Sequence, residues 1–183
     1  MNMVKGIQSH ARTVTMKIKK YKLREDLKIG VSGVTLFRIE CVREFNGVEK
    51  GELGGYIEKE ENLSHEGNAW VYGNAKVYGN AKVYGDTMVY GNARVFGNAC
   101  VFGNAWVYGN AWVSGDARVF GNAMVYGNAW VYGNAKVYGD TMVYGDTWVS
   151  GDARVSGDTW VSGDAWVSGD ATVSPINITN SCK

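Results

Sequence analysis

Proline is almost absent from this chain: Pro175 is the only one in 183 residues. That excludes a polyproline spacer, and the period of six kept by most of the glycines, rather than three, excludes a collagen helix. Histidine is as scarce, with only His10 and His65, too few for a centre built on three histidine ligands. Cys41, Cys100 and Cys182 are an odd number without metal-ligand spacing. Reduced thiols in the cytoplasm suit that usage better than a disulfide framework, and neither a metal nor a cofactor is expected. No apolar run approaches membrane length and no signal-peptide core is seen, so no membrane association is expected. The formal net charge of +1 gives no reason to expect nucleic acid as a partner.

What the chain has in excess is one sentence of six residues: Gly, Asn or Asp, Ala or Thr, a variable residue, Val, then Tyr, Phe or Ser. Every sixth residue from Gly67 to Gly169 is Gly, and every sixth from Val71 to Val173 is Val. A period this strict means stacked structural turns. Within Ala-x-Val the side chains alternate, so Ala and Val point to one side and the variable residue to the other. Gly-Asn or Gly-Asp then breaks the strand, because these residues best tolerate a positive φ. Each hexapeptide is one short strand and one corner.

The variable residues count the strands per turn. Sorted as basic, apolar or Thr, they match in class at eleven of fifteen pairs when shifted by three repeats, against six of seventeen and six of sixteen for shifts of one and two. The identical segments 79–91 and 133–145, GNAKVYGDTMVYG, lie three turns of eighteen apart. The expected fold is therefore all-β: a single-stranded, left-handed parallel β-helix, a triangular solenoid of about six 18-residue coils, with a small N-terminal β cap. Its expected divisions are a disordered extension (1–15, with Met16 a more natural start), cap and degenerate first coil (16–66), hexapeptide repeats (67–174) and a tail (175–183) in which Pro175, Ile176 and Ile178 close the end.

Within the cap, the basic run Lys17 to Lys28 reads as a solvated strand or arm. Residues 34–45 read as a strand, with Leu36, Arg38, Glu40 and Val42 on one side and Phe37, Ile39 and Cys41 on the other, followed by a tight turn at Asn46-Gly47. The stretch from about residue 21 to 75, through Phe45-Asn46, Gly51, Gly54-Gly55, Asn62, Leu63-Ser64, Gly67 and Trp70-Val71-Tyr72, resembles the cap and first coil of YdcK-like hexapeptide-repeat proteins, which carry a transferase label. That resemblance implies a left-handed β-helix behind a small β cap. One departure is the residue after Val, usually small in such helices and here Tyr, Phe or Ser.

The period of three sorts the outward residues into faces. One holds Trp70, Met88, Trp106, Met124, Met142 and Trp160. The second holds Lys76, Arg94, Trp112, Trp130, Trp148 and Trp166. The third holds Lys82, Cys100, Arg118, Lys136, Arg154 and Thr172. Six strands of roughly 17 Å expose on the order of 500 Å² per face, and two apolar faces together exceed the patch normal on a monomer. The Trp/Met and Tyr/Phe rows are thus the expected binding surface of a non-enzymatic scaffold, for self-association, a protein partner or an extended glycan. The basic ladder of Lys82, Arg118, Lys136 and Arg154 is expected to keep its face soluble by pairing with corner aspartates.

The competing reading is an acyltransferase-like enzyme with a site between subunits, for which His65 is the one candidate base. Its register at the inward Val position of the first coil favours packing instead. No insertion interrupts the repeat to wall a pocket. The outward Thr ladder of an ice-binding solenoid is missing, with Thr172 the sole outward Thr and Thr87, Thr141, Thr147 and Thr159 inward.

Overall fold

The computed structural model describes residues 18–175 and 177–180. The 1–15 extension, Met16, Ile176 and Cys182 lie outside the described residues. The chain forms a parallel β-solenoid of about seven turns, its coils 18 residues apart and its strands in three sheets around a triangular lumen. Apart from one 3-10 turn at Glu60–Asn62, no helix occurs among the described residues. The seventh turn is the coil formed by the cap, beyond the six expected from the strict repeat.

The three sheets follow the three predicted faces. The register joins Trp106 to Met88 and Met124, Trp112 to Arg94 and Trp130, and Arg118 to Cys100 and Lys136. Ala and Val fill the lumen, nearly all with no exposed surface. Thr87, Thr141, Thr147 and Thr159 replace Ala there, and each hydroxyl donates to the carbonyl three residues back, so none is left unpaired.

At each corner glycine serves two ends. Gly103 has φ +76°, and a Cβ there would lie 3.0 Å from the backbone N of Gly121 in the next coil. The position therefore excludes a side chain both by conformation and by room. Adjacent corner amides form ladders. Asn92 donates to Asn110, Asn110 to Asn128, and Asn128 to Asp146. The bonds between two asparagines are 3.1–3.3 Å, and those ending on Asp116, Asp140, Asp146 or Asp152 are 2.7–3.0 Å, as charge assistance requires.

The cap is a hairpin of β1 (Tyr21–Val31) and β2 (Val34–Cys41), followed by β3 (Leu53–Ile57). Ser32 and Gly33, with φ of 49° and 81°, make the β1–β2 turn. Asn46 and Gly47 make the expected tight turn, at φ 41° and 80°. β3 pairs antiparallel with β2 and parallel with Lys76–Val77, carrying the cap into the nine-stranded sheet. Two expectations need correction. The alternation predicted over 34–45 breaks, since Leu36 from one set and Ile39 and Cys41 from the other are all buried; a register shift between Arg38 and Glu40 offsets the pairing. Lys20, predicted to be solvated, is fully buried because it caps the solenoid.

Replacing Gly103 by Ala is expected to cost about 1–3 kcal/mol from backbone strain alone. The check is the urea midpoint followed by circular dichroism. An unchanged midpoint would show that the corner accommodates a side chain.

Candidate functional site

The outward residues become rows because the 18-residue coil places like on like. Trp112, Trp130, Trp148 and Trp166 stack nearly parallel, with ring centroids 4.7, 5.3 and 5.1 Å apart. Arg94 covers the first ring, 4.8 Å from its centroid. On the edge between this face and the Trp/Met face, Tyr90, Tyr108, Tyr126 and Tyr144 stack at 4.7–4.9 Å. A third row, Tyr84, Phe102, Phe120 and Tyr138, borders the basic face. Each stacked pair adds about 0.5–1.5 kcal/mol beyond its buried area, so the rows stabilise the rod as well as clothe it.

Exposure separates the predicted binding residues. Trp106 (38%), Trp130 (36%), Trp160 (47%) and Trp166 (72%) are open to solvent. Trp112, Trp148, Met88, Met124 and Met142 are half-buried within the rows. Trp70 is not a surface residue. It points away from the lumen as predicted, but the cap covers it completely, and Tyr21, Phe45 and Tyr72 pack edge-on around its ring. The two apolar faces and the tyrosine edge form one continuous aromatic surface round a corner of the rod.

The basic ladder is arranged in register as predicted, yet among the described residues no ion pair joins Lys82, Arg118, Lys136 or Arg154 to an acid. Nearby corner carboxylates are turned along the axis instead: Asp116 accepts from Asn98 and Asp152 from Asn134.

His65 sits under the cap, but not at the inward Val position. Leu63 pairs with Val83, so the first coil is two residues longer than the repeat and Leu63 points inward in its place. The His65 ring stacks on Tyr21 at 4.3 Å. Its Nδ1 accepts the Lys20 backbone N–H at 3.1 Å, which places the imidazole proton on Nε2, 3.6 Å from the Glu60 carboxylate. Around it, the Tyr21 hydroxyl donates to the Leu63 carbonyl at 2.7 Å. The Lys20 ammonium donates to the Ala69 carbonyl at 2.7 Å and lies 4.7 Å from the Phe45 ring centroid. Burial, helped by Arg43, pulls that ammonium down to about 8. Nothing in the sequence distinguishes Lys20 from the other lysines of its run. Shallow clefts flank this network, one of about 300 Å³ reaching from Glu60 and His65 to Lys82 and Tyr84. Among the described residues no group of three or more His, Cys, Asp or Glu side chains is placed to hold a metal, and no helix is long and apolar enough to cross a membrane.

Burial lowers the His65 pKa from 6.5, with Glu60 opposing it. The unfolded chain therefore holds this proton more tightly, so the contribution of neutral His65 to cap stability is complete above about pH 6.5 and lost as pH falls through the folded value. Amide exchange protection over Tyr21–Cys41 should drop between about pH 7.5 and about pH 5.5, and His65→Asn should flatten that dependence. Equal protection at both values in the unsubstituted chain would refute it.

No curated protein matches this sequence. The family described as the YdcK Beta solenoid repeat matches residues 117–133 and 148–163, within the solenoid rather than on the cap stretch. Those matched repeats and the three-sheet parallel β-solenoid are consistent with a YdcK-like repeat protein.

Proposed function

We propose that this chain is a non-enzymatic scaffold whose aromatic surface associates with a protein partner, either another copy of itself or a second chain. The observation that carries this reading is the meeting of two Trp-bearing faces along a stacked tyrosine edge, with Trp106, Trp130, Trp160 and Trp166 all exposed. Much of the surface is ordered before it meets anything, because the Tyr90–Tyr144 and Trp112–Trp166 rows stack ring on ring along the rod. Association over it loses little side-chain freedom. In the tryptophan row the ring faces are already occupied by one another at interplanar angles of 5–6°. Inside the row, at Trp130 and Trp148, edges are what remain, which suits an interdigitating protein surface better than the flat stacking of an extended glycan.

His65 supports the same reading. Its Nδ1 accepts a backbone hydrogen bond and its ring face lies on Tyr21, so it holds the cap where a general base would instead need a free lone pair toward a substrate. The free thiols Cys41 and Cys100 fit the reducing cytoplasm in which we place the protein.

Sedimentation velocity across micromolar concentrations tests the proposal. The unsubstituted chain should associate, and Trp112→Ser, Trp130→Ser and Trp148→Ser combined should leave a monomer that keeps its β-sheet circular dichroism. A chain that is monomeric throughout and retains no protein partner, or an assembly indifferent to the three changes, would overturn it.

A further inference from the structure

The nine-stranded sheet changes chemistry along its length. Its register runs through Arg38, Tyr56, Lys76 and Arg94, then through Trp112, Trp130, Trp148 and Trp166. The first half is cationic. Arg38 and Lys76 lie 5.3 and 5.9 Å from the Tyr56 ring centroid. Lys76 and Arg94 are direct cross-strand neighbours, a like-charge pairing that costs stability, and among the described residues neither forms an ion pair. Burial and the Arg94 charge hold the Lys76 ammonium below its ordinary value. Among the described residues no carboxylate pairs with either of these two cations.

The other end has the complement. Asp146 and Asp164 stand in the corners that lead into Trp148 and Trp166. Beside those rings runs a groove of about 240 Å³ lined by Tyr132, Trp148, Ser150, Trp166 and Ser168. A carboxylate two residues before each of these rings supplies the opposite charge that the Lys76 and Arg94 heads lack on their own face.

We propose that this face binds a second copy of the chain, antiparallel, about a twofold axis between the Trp112 and Trp130 strands. The inference rests on the scaffold reading above and names its partner and geometry. Six strands match when one face is laid reversed on the other: Trp112 on the partner's Trp130, Arg94 on the partner's Trp148 beside its Asp146, and Lys76 on the partner's Trp166 beside its Asp164. Each contact occurs twice, as a closed twofold interface demands. A parallel arrangement would set Lys76 on Lys76 and Arg94 on Arg94, so charge selects the direction. Two faces of roughly 500 Å² each total about 1,000 Å², the lower bound for a specific interface. The dimer is accordingly a concentration-dependent one, weakened by salt.

A charge exchange tests this. In sedimentation velocity at low salt, Arg94→Glu alone and Asp146→Lys alone should each raise the dimer dissociation constant about tenfold, and the two together should return it to within about threefold of the unsubstituted value. Circular dichroism confirms that each variant folds. An assembly dispersed by the tryptophan changes but indifferent to the exchange would overturn the antiparallel geometry and leave the scaffold reading standing. A persistent monomer would overturn the dimer and, with it, the self-association arm of the scaffold reading.

Discussion

The rod depends on a hydrogen-bond ladder that points one way. Each strand donates its backbone N–H to a carbonyl 17 residues later, as Trp148 does to Ala165 and Arg154 to Ala171. Stacking in one direction leaves carbonyls bare at the N-terminal end and N–H groups bare at the other, and an unpaired buried backbone group is costly. The cap is therefore a set of donors. Lys20 supplies Gly67 and Ala69, the Asn62 amide supplies Gly79 and Ala81, and the N–H groups of Tyr56, Glu58 and Ser64 supply Ala75, Val77 and Val83. At the far end the demand reverses, and the Asn177 side-chain carbonyl accepts from the Trp160 N–H. A buried lysine is tolerable here because carbonyls and the Phe45 ring replace its water.

The same translation that repeats the ladder repeats every side chain. Any residue recurring at 18 meets its own kind about 4.8 Å away. For Ala and Val this makes a lumen; for Asn, chains of amides ended by an aspartate; for Tyr, Phe and Trp, stacks. For Lys76 and Arg94 it makes a repulsion that the rod does not relieve internally. Order along the axis is thus the only source of asymmetry, and the Trp-rich face draws its polarity from it: cations near the cap, indoles and corner aspartates toward the end.

This separates what holds the protein together from what it offers to others. The lumen is uniform and carries no information. The outer rows are braced and already partly satisfied by stacking, so the exposed edges of Trp106, Trp130, Trp160 and Trp166 offer a preformed surface. His65, the one residue whose type suggested chemistry, is used to fasten the cap.

Much of this was legible in the residues alone. The sixfold Gly and Val, and the class match at three repeats, determined the three sheets, the register and the membership of each face, because in a solenoid spacing along the chain and position in space are the same variable. The cap escaped such reading for the opposite reason. Its contacts join residues about 40–50 apart without any period, as Tyr21 to His65 and Lys20 to Ala69 do, so only the folded chain decided that Lys20 is buried, that Trp70 is covered, and that a two-residue excess moves His65 out of the lumen. Tertiary structure also decided where the carboxylates turn. Asn and Asp recur in the sequence, but whether an aspartate meets a lysine on its own face or an amide one coil away depends on the geometry of the corner, and the corner favours the amide.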